Sequence, residues 1–160
     1  MPPGPKHEKP VVSLASVVAA LDMQSDEVCS YLDLNSGEIV TFNQEEADIA
    51  ERGDWESAPQ WMKESLPKVK RALAQDGMLG LPDRIHIDEW RMMQEFAEEE
   101  AQCKCRAELV SASHGPQAFR RFRDAVYRLG IDKEWFAYRE AGYERVAREW
   151  LEDNEITYKP

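Results

Sequence analysis

Three stretches carry residues whose types and spacing can do chemistry. In "GPQAFRRFRD" (115–124) three arginines interleave with two phenylalanines. With Arg128 they form a basic set, Arg120, Arg121, Arg123 and Arg128, and arginine at all four places suits planar, bidentate contact with carboxylate or phosphate. In "RIHIDEW" (84–90) His86, Asp88 and Glu89 lie close in sequence and offer general acid–base chemistry if their side chains converge. In "CKC", Cys103 and Cys105 have the donor type of a zinc site, with His114 as a further ligand.

Helical geometry weighs each of these. At about 100° per residue, Ala118, Phe119, Phe122, Ala125, Val126 and Leu129 cover one face of a helix. Both phenylalanines are then expected in the core, which removes them as stacking platforms for bases. Arg120 and Tyr127 centre the opposite face, and Arg121, Arg123 and Arg128 flank the apolar stripe. The set is read either as a solvated helix edge paired with the chain's own carboxylates, or as an anion-binding face for RNA, DNA or an acidic partner. For Asp88 and Glu89 the competing reading is a helix cap with surface carboxylates. The chain has no H-E-x-x-H, no G-x-S-x-G and no phosphate-cradling glycine loop. A helical C-x-C points its two thiols about 200° apart and chelates poorly, so no metal and no cofactor is assigned.

Composition bounds the class. The chain has 160 residues, 42% of them hydrophobic, and a formal net charge of −11. That length and composition suit one globular domain with a real core. The acidity argues against wholesale binding to nucleic acid or to anionic membranes. The charge is uneven, because between Lys104 and Arg128 six basic residues face only Glu108 and Asp124. Glu98, Glu99 and Glu100 read as a solvated run or an acidic docking surface. Three cysteines with no framework spacing fit a reducing compartment.

The elements that must position these residues are mostly helices. "MPPGPKHEKP" (1–10) is a proline-rich lead expected to be disordered, followed by the apolar run "VVSLASVVAAL". The layout imitates a secretory signal, but eleven residues are too few to span a bilayer. Leu14, Val17, Val18 and Leu21 share a helical stripe after Ser13 as N-cap. A cytoplasmic location with no membrane association is expected.

"YLDLNSGEIVTF" (31–42) predicts a hairpin around Asn35-Ser36-Gly37. Asn43 and Glu46 have capping-box spacing, and that helix should end near Gly53. Pro59 suits a helix start and Pro67 a break or second start. Gly77, Gly80 and Pro82 predict a loop. Asp88 should cap a helix to about Ala101 or on toward Ser113, Pro116 should open the arginine helix, and Asp132 should cap a last helix to about Asp153. The predicted fold is mainly α (α+β), a helical bundle with one small N-terminal β-hairpin, in a single domain over 11–160.

In the last helix Trp135, Phe136, Tyr143, Val146, Ala147 and Trp150 form an apolar stripe, and Arg139 falls inside it. A charge there needs a way out. The choices are a carboxylate partner, Glu89 or Glu100, a stem that packs while the guanidinium snorkels to the rim, or an anion or ligand site.

The pieces "SLASVVAALDM", "YLDLNSGEIV", "LPDRIHIDEWRMMQEFAEE", "GPQAFRRFRD", "WFAYR" and "REWLEDNEI" together resemble uncharacterised protein family 158 of the bacterial UPF series. The resemblance runs from about residue 13 to residue 156. It implies a small bacterial protein and brings no activity with it. The favoured function is a non-catalytic interaction or regulatory module whose partner is another protein. The alternatives are a nucleic-acid binder using helix 116–129, and an enzyme with its site around His86, Asp88 and Glu89.

Overall fold

The computed structural model describes residues 10–160 apart from 26, 54, 84–86, 101 and 102, together with the side chains of these residues except Glu100, Cys103 and Lys104. The fold is mainly α with some β. Its contacts group into two compact units, one formed by the chain up to Asp83 with Ala147–Pro160, the other by Arg84–Val146.

In the first unit, β1 (Val12–Ser13) leads into α1 (Leu14–Met23). The Ser13 hydroxyl accepts the Ser16 N–H at 3.3 Å and caps the helix, whose buried face is Leu14, Val17, Ala20 and Leu21. β2 (Val28–Asp33) and β3 (Ile39–Asn43) form the hairpin, with Gly37 at φ +76° in its turn. Asn43 caps α2 (Gln44–Arg52) by accepting the Glu46 N–H at 2.9 Å, and Gly53 ends it in the left-handed conformation. Pro59 precedes α3 (Gln60–Lys63), and Pro67 sits in the first turn of α4 (Leu66–Leu73).

The 77–82 segment is not only a loop. Met78–Gly80 is a strand, β4, paired antiparallel with β2, so the hairpin grows into a three-stranded sheet of order β3-β2-β4. Three residues are too few to show a period of two, and the glycines at 77 and 80 read as loop. One face of this sheet packs on α2, α3 and α4 around Phe42, Met62, Leu66 and Val69. The last strand, β5 (Tyr158–Lys159), pairs parallel with β1, joining positions that are distant in sequence.

In the second unit, α5 (Glu89–Glu95) continues into a π-helical segment, Phe96–Glu100. α6 (Cys103–Ala112), α7 (Ala118–Arg128) and α8 (Asp132–Asp153) follow, and α8 runs on beyond Val146. α7 starts at Ala118 rather than at Pro116, because Gly115 and Gln117 both take positive φ and hold 115–117 out of the helix. Phe96, Phe122 and Trp135 pack edge to face at centroid distances of 4.9–6.4 Å and centre the core of this unit.

Candidate interaction face and the buried charge cluster

The arginine helix differs from expectation at Phe119. Phe122, Ala125 and Val126 are buried, whereas Phe119 is 52% exposed. The buried residues centre on Phe122, and Phe119 sits about 70° from that centre, in the first turn. A face broad enough to include it is wider than the one α7 buries. Phe136 corrects a second expectation, at 42% exposure. Along α8, Trp135, Tyr138, Arg139, Gly142 and Tyr143 recur at intervals of three, one, three and one, and Phe136 lies about 90° off that row.

One exposed ridge results. Phe119, Arg123 and Tyr127 recur every four residues on α7, with Arg120 alongside. Tyr127 is 54% exposed and packs against Phe136, centroids 6.0 Å apart at 62°. The four arginines do not act as one set. Arg121 Nη1 donates to the His114 carbonyl at 2.8 Å, and Arg128 is paired with Glu108. Arg120 and Arg123 are exposed and have no partner among the described residues. The two of the four with no partner among the described residues are therefore the two that stand beside exposed aromatic rings.

Asp88 and Glu89 are taken up by structure. Asp88 Oδ1 accepts the Arg91 N–H at 3.3 Å and caps α5. Glu89 faces inward, with Oε1 accepting Arg139 Nε at 2.5 Å and Oε2 accepting the Tyr143 hydroxyl at 3.0 Å. Arg139 Nη2 donates to the Tyr143 oxygen at 3.0 Å, and the guanidinium carbon lies 4.3 Å from that ring's centroid. The Arg139 and Glu89 side chains are 23% and 19% exposed. Arginine, glutamate and tyrosine thus satisfy one another in a hydrogen-bonded network. His86 and the Glu100 side chain lie outside the described residues, and Glu98 and Glu99 are exposed.

The cysteine stretch gives no metal site to argue from. Cys105 is half-buried with a free thiol, and the Cys103 side chain lies outside the described residues. His114 rests edge-on against Trp90, its Nδ1 2.7 Å from the Val110 carbonyl oxygen. Among the described residues no group of three or more His, Cys, Asp or Glu is placed to hold a metal ion, and no helix is long and apolar enough to cross a membrane.

The first unit contributes a charge pair with a buried acid. Asp33 is buried, its Oδ2 accepts Arg71 Nη1 at 3.2 Å, and its Oδ1 accepts the Asn35 N–H at 2.9 Å. Burial alone would raise this carboxyl; the Asn35 N–H, the Arg71 guanidinium and the Ser36 N–H outweigh it and hold Asp33 below the ordinary carboxylate value. The carboxylate borders a cavity of about 150 Å³ lined otherwise by Val12, Leu32, Leu34, Ile156, Pro10 and Asn154. With Asp33 already engaged, that cavity presents no converging set of reactive groups.

Comparison with protein-family models, with curated proteins and with solved structures finds no match to this chain.

Proposed function

We propose that this protein is a non-catalytic interaction module whose contact surface is the exposed ridge of α7, with Phe136 of α8 extending it. The observation that carries this reading is the combination on one face of three exposed aromatic rings and two arginines without a partner among the described residues. Aromatic and arginine side chains dominate the binding energy of protein interfaces, whereas isolated surface positions favour lysine and glutamate. The inward-facing Glu89, Arg139 and Tyr143 support the same reading from the other side, since they are engaged by one another. The proposal includes a bacterial cytoplasmic setting within the family that the sequence resembles, which fractionation of the native cell tests.

A photo-crosslinking residue placed in turn at Phe119, Tyr127 and Trp61 tests the surface. Trp61 is the control, an exposed aromatic on the other unit. Crosslinks to another macromolecule in the native cell at 119 and 127, but not at 61, are the expected result. Equal yields at all three positions would refute the assignment of this ridge.

A further inference from the structure

Resting on that reading of the ridge, we infer the class of its partner: a protein segment in which carboxylates stand beside apolar side chains. Phe119, Arg123 and Tyr127 make an aromatic–cation–aromatic row about 12 Å long. Phe136 lengthens its Tyr127 end. An occupant must therefore offer apolar surface to both ends and an anion between them. Arg128 is neutralised by Glu108 and Arg121 spends an N–H on the His114 carbonyl, so the fully open guanidiniums for the anion are those of Arg120 and Arg123. One or two carboxylates satisfy those guanidiniums through paired N–H···O contacts.

A nucleic acid fits less well, for three reasons. Arg120, Arg121 and Arg123, which have no carboxylate partner among the described residues, neutralise about three single-strand phosphates, which gives a log–log salt slope of only about −2. The chain as a whole carries −11, which repels a polyanion far more than a peptide with one or two acids. Base stacking also needs open ring faces. Tyr127 and Phe136 meet edge to face, so one face of that pair is already covered.

The probes are a random peptide display library panned on the full chain, and a labelled oligouridylate RNA. Peptides enriched on the wild type are expected to combine Asp or Glu with aliphatic or aromatic residues. Arg120→Ala/Arg123→Ala should weaken the best of them about tenfold or more, and Phe119→Ser/Tyr127→Ser should weaken it comparably. All four residues are exposed, so both variants keep the core intact. If the aromatic variant loses binding while the arginine variant does not, the acidic class is wrong and the surface stands. If both variants bind like the wild type, the surface assignment falls too. Enrichment of no peptide, or RNA binding tighter than the best peptide, overturns the inference.

Discussion

Glu89 and Arg139, fifty positions apart in the chain, lie side by side between α5 and α8, with Tyr143 hydrogen-bonded to both. An arginine inside an apolar stripe is tolerated because a glutamate on the facing helix is inward too. Removing one partner strands the other. Arg139→Met is expected to cost about 3 kcal/mol, and Glu89→Leu/Arg139→Met should recover much of it. Urea unfolding of the single and double variants gives the coupling. A coupling indistinguishable from zero would mean that solvent, not Glu89, satisfies the guanidinium.

Asp33 makes part of the stability depend on pH. Its carboxyl is held below the ordinary value in the folded state. The sign follows: its contribution is complete above the unfolded-state value of about 3.9, and is lost as pH falls through the native value. Asp33→Asn should therefore be less stable than wild type at neutral pH and lose less on acidification to about pH 3. Urea midpoints at the two pH values check this, and parallel losses would contradict it.

Phe119 and Phe122, three residues apart, should behave oppositely. Phe122→Ala empties a site in contact with Phe96 and Trp135, and is expected to cost about 3–5 kcal/mol. Phe119→Ala should lie within about 0.5 kcal/mol of wild type, as surface changes do. Thermal unfolding of the two variants separates a core position from a contact position directly.

Gly142 is buried in α8, and a Cβ added there would meet Met92 Sδ and Cε at 2.9 Å. Those atoms end a flexible side chain, so Met92 can move at modest cost. Gly142→Ala gains about 1 kcal/mol in helix propensity and loses a similar amount to repacking, for a net change near zero. In a Met92→Ala background the same substitution should stabilise by about 1 kcal/mol. Equal effects in both backgrounds would exclude the Met92 contact as the cause.

What was legible in the sequence was local, or was a conflict. Ser13 and Asn43 announce helix starts because the cap and the N–H that donates to it lie three residues apart. Gly53 announces a stop through its conformational freedom. Arg139 was conspicuous because a charge in an apolar row demands an explanation, and Glu89 supplies it. Phe119 and Phe136 were misjudged because hydrophobicity marks a stripe's members but not its centre. A residue 70–90° off that centre is exposed as readily as buried. β4 was invisible because only its partner, β2, makes three residues a strand.

The pairing of Val12 with Tyr158 and Ser13 with Lys159 has a consequence for synthesis on the ribosome. The first unit is interrupted in sequence, since Arg84–Val146 belongs to the other unit and must be made before β5 emerges. At ordinary elongation rates the stretch from Val146 to Tyr158 takes roughly 0.6–2.4 s, ample for a helical unit to fold first. Through that interval β1 has no strand to pair with, and its backbone N–H and C=O groups stay open. Closure by β5 then follows the folding of the second unit, and truncation before Tyr158 should leave a nascent chain that chaperones retain longer than one that carries β5.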